Sequence, residues 1–307
     1  MPEIMMLDSD ILFDRRRLKR RLVVWRIVAI VAVVAMVVAS VARFDGVLDR
    51  DHVARYTVYG LIVDDADVFE ALTEVAGDDS AKALIVYIDS PGGTFVGGEM
   101  LFEALREVAE AKPVVAVMGT VAASAGYMVA IASDRIYARQ GTITGSIGVI
   151  MQTTDITGLL EKIGVSAEAI KSAPLKAVPS PLEPLTDAAR AATQAIIDDM
   201  QDLFTAMVAE RRGFDEARVR TLADGRVYSG RQALANGLID AIGGEAEARQ
   251  WLSEEMGVAA GLPIEDVTIG DETEAWLPAL RSLSEKMLLS ERLTLDGLVA
   301  VWHPDLR

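Results

Sequence analysis

A chain of 307 residues, 51% of them apolar, can hold one large domain or two small ones and has ample side chains for a core. Its formal net charge of −16 argues against nucleic-acid binding, which draws on clustered cations to neutralise phosphates. Cysteine is absent, which excludes disulfides, thiolate metal ligands and a cysteine nucleophile.

The charge is unevenly spread. Residues 1–42 carry seven basic and four acidic side chains, so a total of −16 leaves −19 on the rest. Leu22 to Ala42 is apolar apart from Arg26 and Ser40. As a helix it would rise about 31 Å, which matches the ~30 Å hydrocarbon layer of a bilayer. Arg26 falls within the first turn, where its side chain can reach the headgroups. Arg15, Arg16, Arg17, Lys19, Arg20 and Arg21 precede the span, and the positive-inside rule then puts the N-terminus in the cytoplasm and the bulk of the chain across the membrane. A cleavable signal peptide is the competing reading, with Ser40-Val41-Ala42 as a cleavage site. The apolar stretch from Ile27 is long for that, so the expectation is a basic tail (1–21), an uncleaved transmembrane anchor (22–42) and a charged linker (43–54).

From Arg55 strands and helices alternate. Tyr56–Val63 reads as a strand and Asp67–Val75 as an amphipathic helix. Ala83–Ile88 has the unbroken apolar character of a buried parallel strand, and Asp89-Ser90-Pro91-Gly92-Gly93 reads as a turn. Gly98–Ala111 follows as a helix and Val114–Met118 as a second buried strand, with a turn expected at Gly119-Thr120. Strands are expected at Arg135–Ala138, Ile147–Met151 and Val165–Ile170, with a short helix at Gly158–Ile163. Lys171 to Pro184 is rich in proline and reads as irregular. Thr186 opens a long helix that Gly213 stops. A helix at Ser229–Ala235, a strand end at Leu238–Ala241 and a helix at Glu245–Met256 complete a domain placed at 55–260. The alternation implies βαβ units, hence an α/β fold with a parallel sheet and flanking helices. In the extension 261–307, Leu277 to Val301 includes an amphipathic stretch that could dock on the domain, on a sister subunit or on the membrane.

Histidine is scarce: His52 falls in the linker and His303 near the end, and both read as surface residues. A Ser-His-Asp triad or a multi-histidine metal site is therefore not expected. The run Thr120-Val121-Ala122-Ala123-Ser124-Ala125-Gly126-Tyr127 puts a serine where a strand gives way to a helix. There a hydroxyl can serve as a nucleophile, with helix N–H groups aimed at a developing anion, or simply as a helix cap. Gly92 and Gly93 end the neighbouring strand, so they can lie beside Ser124 and let a substrate approach the backbone. A base is still required, and Lys, Asp, Glu and Tyr are the candidates. Lys82 and Lys112 begin buried strands, the wrong end for this site. Lys162 lies on the short helix and Lys286 in the tail. Lys171 and Lys176 remain, and either would have to be desolvated to act as a neutral amine, at a cost of about 4–5 kcal/mol. Ser146, in Thr144-Gly145-Ser146-Ile147-Gly148, could orient it.

These segments together resemble the signal peptide peptidase A family of serine peptidases (peptidase family S49), in its short, single-repeat form. The carriers are Asp89–Gly93, Val121–Ala130, Thr144–Val149, Ile170–Thr186 and Arg226–Asp240. The resemblance implies a fold of the ClpP/crotonase type with Ser124 as nucleophile. It gives Gly93 and the N–H of Ala125 as the oxyanion hole, and Ser146 as the residue that holds the lysine. It puts the catalytic lysine at Lys176, although Ala173 and Ala177 depart from the glycine and aspartate of the family pattern. It further implies no cofactor, and apolar peptides such as cleaved signal peptides as substrates. The setting would be a bacterial inner membrane with the catalytic domain outside the cytoplasm. Short members would assemble as homo-oligomeric rings, with Ser124 and Lys176 meeting between subunits. Two rival readings stand beside this one. One is a crotonase-like enzyme acting on a CoA thioester, which the acidic surface disfavours. The other is a catalytically silent membrane scaffold.

Overall fold

The computed structural model describes residues 21, 23–34, 36 and 50–270. Residues 1–20 of the basic tail, the far end of the expected anchor, most of the linker and residues 271–307, His303 among them, lie outside the described residues. Residues 23–34 are helical (α1), with Trp25, Ile30 and Val31 exposed. No helix among the described residues is long and apolar enough to cross a membrane.

The domain is a mostly parallel sheet with helices packed on it. In chain order come β1 (His52–Ile62), α2 (Ala66–Gly77), β2 (Ala81–Gly93), α3 (Phe95–Ala111), β3 (Val114–Ala123), α4 (Ala125–Ala130), β4 (Arg135–Ala138) and β5 (Ile143–Gly145). Then follow α5 (Thr157–Lys162), α6 (Asp187–Arg212), α7 (Glu216–Leu222), β6 (Val227–Ser229), α8 (Gly230–Asn236), β7 (Ala241–Ile242), α9 (Glu245–Glu254) and β8 (Ile264–Asp266). The strand order is β6-β5-β3-β2-β1-β8, and β4 pairs with both β3 and β7. Every pairing is parallel except β5 with β6.

Side chains of alternate parity on β2 and β3 enter opposite faces of the sheet. Leu84, Val86 and Ile88, with Val114, Ala116 and Met118, join one core with α3 and α4. Ala83 and Ile85, with Val115 and Val117, join a second with Trp251 and Leu252 of α9. Burial on both faces is why these strands read as unbroken apolar runs. Helix α3 buries Leu101, Ala104, Leu105 and Val108, one face at helical spacing.

Several expectations are corrected. The turns expected at Asp89–Gly93 and Gly119-Thr120 are strand: β2 runs on to Gly93 and β3 to Ala123. Both strands shift register instead, with Ile88 opposite Met118 but Ser90 opposite Ala122. Beyond the shift β3 changes neighbours, from β4 at Val115–Met118 to β5 at Val121–Ala123. The bulged stretch forms an upper extension of the sheet, and the glycines and small residues read as turns are what permit it. No strand forms at 147–151 or 165–170, because no partner strand lies beside them and Ile150, Val165 and Ile170 are exposed. His52 is not on the surface: it opens β1, is buried, and lies 3.4 Å from Ser80 Oγ. The sheet also extends past the 55–260 bounds, since β1 starts at His52 and β8 pairs with Val53–Arg55.

Candidate active site

Ser124 sits where β3 passes into α4. Its backbone, at φ 55° and ψ −122°, lies outside the ordinary regions for an L-residue, a conformation costing about 1–3 kcal/mol. Its N–H donates to Gly145 O at 2.9 Å, and its carbonyl accepts from Tyr127 and Met128 at 2.9 and 3.0 Å. The side chain makes no capping hydrogen bond, so the half-buried hydroxyl is not occupied as a helix cap.

The glycines of β2 close on it. Ser90 Oγ, fully buried, accepts the Gly92 N–H at 3.1 Å and pins the bend. Gly92 has φ +120°, and a Cβ there would lie 2.9 Å from Ser124 Cβ and 3.3 Å from its Oγ. At Gly93 a Cβ would fall 1.8 Å from Ile62 O, so no side chain fits between β1 and β2. Ala125 opens α4, and its N–H has no intrahelical acceptor. Gly93, Ser124 and Ala125 line one cavity of about 310 Å³, walled by Phe95, Val96, Met128, Ile196, Met200 and Phe204.

Side chains add hydrogen bonds to the backbone around the register shift. Asp89 accepts the Val121 N–H at 3.0 Å, Thr142 Oγ1 donates to Gly119 O at 2.7 Å, and Thr144 Oγ1 donates to Ala122 O at 2.6 Å. Together they hold the last residues of β3 under Ser124.

Ser146 follows Gly145, whose carbonyl holds the Ser124 N–H. It is half-buried at φ 49°, and its own N–H donates to Arg226 O at 2.8 Å. Lys176 stands apart. It is exposed, does not line the Ser124 cavity, and among the described residues its ammonium makes no hydrogen bond or ion pair. Lys171 is held by Glu183 at 2.6 Å. Lys112 donates to Val75 O and Asp78 O at the far end of the sheet, and Lys82 pairs with Asp51 there. Tyr127, a neighbour of Ser124 in sequence, is fully buried, which pushes its phenol well above the usual range, and its hydroxyl donates to Leu238 O at 2.9 Å. That side chain is not a base for Ser124. The structure thus unites Ser124, Gly93 and Ala125, puts Ser146 directly after β5, and leaves Lys176 outside the pocket, on an arm (152–185) between β5 and α6. Among the described residues, the non-glycine positions with positive φ are Ser124, Ser146 and Ala177, the last adjoining Lys176.

The cavity wall on α6 was not read from the sequence as part of the site. Its signal was an apolar stripe at 196, 197, 200, 203, 204, 207 and 208, of which Phe204 and Val208 are fully buried. Ile196, Ile197 and Met200 line the cavity instead. Among the described residues no cluster of three or more His, Asp or Glu could hold a metal ion.

Residues 106–259 match the family described as Peptidase family S49. The candidate protease slr0021 of Synechocystis sp. is 39% identical over 76% of this chain and 83% of its own length. The candidate signal peptide peptidase SppA of Enterococcus faecium is 33% identical over 71% of this chain and 66% of its own length. Protease 4 of Haemophilus influenzae is 33% identical over 64% of this chain but only 32% of its own length.

Proposed function

The chain belongs to peptidase family S49, and from that premise we propose that it is a membrane-anchored serine endopeptidase with a Ser124–Lys176 dyad that cleaves apolar peptides. The observation that carries the reading is Ser124 itself. Its hydroxyl is uncapped, its backbone is held at positive φ, and it faces an apolar cavity against two glycines where a Cβ would clash. Strain of this kind persists only where the surroundings over-determine it, and it gathers at sites of chemistry.

In the proposed reaction the neutral amine of Lys176 takes the proton of Ser124 Oγ as the oxygen attacks the scissile carbonyl. The N–H groups of Gly93 and Ala125 hold the tetrahedral oxyanion. The same lysine passes the proton to the leaving amine, and water then hydrolyses the acyl-enzyme. Ser146 would orient the amine. Lys171 is the weaker candidate for the base because it is already committed to Glu183.

Lys176 lies outside the pocket of its own chain, which supports a dyad completed by a neighbouring copy in a closed ring. The arm that bears it exposes Ile163 (63%) and Ile170 (100%), a cost that a subunit contact would offset. The apolar cavity, the apolar segment that contains α1 and the name of the Enterococcus faecium relative support cleaved signal peptides at the membrane as substrates. The deciding experiment is hydrolysis of an apolar peptide by wild type, Ser124→Ala and Lys176→Ala. Loss in both variants is expected, and turnover surviving either change would remove the dyad.

A further inference from the structure

Lys176 sits at the middle of a loop whose two ends are joined by an ion pair. Lys171 Nζ contacts Glu183 Oε2 at 2.6 Å across twelve positions of sequence. The two side chains are 15% and 33% exposed, close to the values of the Arg212–Asp240 pair (12% and 30%) that fastens α6 to the segment ahead of β7. Every residue from Ser172 to Ala177 between them is exposed. The base of the loop is tied once more, by the Ile156 N–H on Pro181 O at 3.0 Å, and inside it the Lys176 N–H donates to Ala173 O at 3.1 Å. A lysine on an untethered loop of this length would sample many positions, and a general base is effective only in hydrogen-bond reach of its proton.

We infer that Lys171 and Glu183 are positioning residues: their ion pair closes the 171–183 loop and fixes where it presents the Lys176 amine. This rests on the reading of Lys176 as the base. The other ionisable side chains of the arm, Asp155, Glu161, Lys162 and Glu168, are exposed, and among the described residues none of them is ion-paired with Lys171, Lys176 or Glu183. Neither positioning residue is within hydrogen-bonding distance of Ser124, so the effect is transmitted through the loop.

The experiment measures kcat and KM of the full chain on an apolar peptide for five forms: wild type, Lys176→Ala, Glu183→Gln, Lys171→Met and the charge-reversed double variant Lys171→Glu/Glu183→Lys. Each single break of the pair is expected to lower kcat by roughly tenfold with KM within about twofold of wild type, and the reversed pair to recover most of the loss. Unchanged thermal unfolding of the single variants separates this from damage to the fold. If the single variants keep wild-type kcat while Lys176→Ala is dead, the clasp is overturned and the dyad stands. If Lys176→Ala keeps its activity, the dyad fails first. If the reversed pair is as inactive as Lys171→Met while Glu183→Gln is active, Lys171 is needed as a lysine and the inference is overturned.

Discussion

Ser124 holds a conformation that glycine would adopt freely, and this separates its structural cost from its chemical use. Replacing it with glycine removes the strain together with the hydroxyl, whereas alanine removes the hydroxyl and keeps the strain. Ser124→Gly is therefore expected to be more stable than Ser124→Ala by about 1 kcal/mol, both being inactive, as read by urea unfolding and peptide turnover. Equal stability of the two would mean that the φ of 55° is not strained in solution. Gly92 tests the neighbouring residue. A Cβ there meets the Ser124 side chain directly, so Gly92→Ala should lower kcat far more than it raises KM. At this scale the sequence was informative about residue type and poor about partners. The serine and the paired glycines were visible in the strand ends, and the family resemblance put the lysine at Lys176. The contact of Lys171 with Glu183, twelve positions away, is one that no local pattern encodes.

At the scale of elements, helices were legible where their ends carry caps. Thr186 accepts the Ala189 N–H and Gly213 closes α6 in the left-handed conformation, both as the residue types at those positions predict. Thr186→Ala should cost about 1 kcal/mol in global unfolding. The bulged strand ends were misread for a physical reason. Glycine and threonine at 119–120 look like a turn, yet Asp89, Thr142 and Thr144 supply the hydrogen bonds that keep the chain extended. Thr144→Val should remove the hydroxyl's bond to the buried Ala122 carbonyl and destabilise by about 0.5–1.5 kcal/mol, while Thr144→Ser is tolerated; denaturant midpoints of the two variants measure the difference. Three-residue strands such as β6 and β8 carry too little periodicity to be read. The apolar stripe of α6 serves two ends, a core at Phe204 and Val208 and a cavity wall at Ile196 and Met200. Filling the cavity with Met200→Trp is expected to raise KM for peptides with large apolar side chains, with little loss of stability because Met200 borders open space.

The whole molecule couples a well-packed sheet to an arm that packs little against it. The alternation of strands and helices made the α/β class legible from sequence. The arm was not legible, because exposed apolar residues such as Val165 and Ile170 carry the same signature as those of a paired strand. In the proposed assembly Ser124 of one copy meets Lys176 of the next, so mixed rings of two dead variants should recover activity. Unfolding is not required for this test if Ser124→Ala and Lys176→Ala chains are co-expressed with different tags and purified together. Turnover by the mixture, with none from either variant alone, is the expected outcome, and an inactive mixture of assembled rings argues for a dyad within one chain. Ile170→Asp, at the most exposed apolar side chain of the arm, should lower the oligomeric state and the activity together. The central claim, that Ser124 is a nucleophile activated by Lys176, is tested most directly by a fluorophosphonate probe followed by peptide mapping of the adduct. The account predicts a single covalent adduct on Ser124 in the wild type, lost in Lys176→Ala; an adduct on another residue, or undiminished labelling of Ser124 without Lys176, would contradict it.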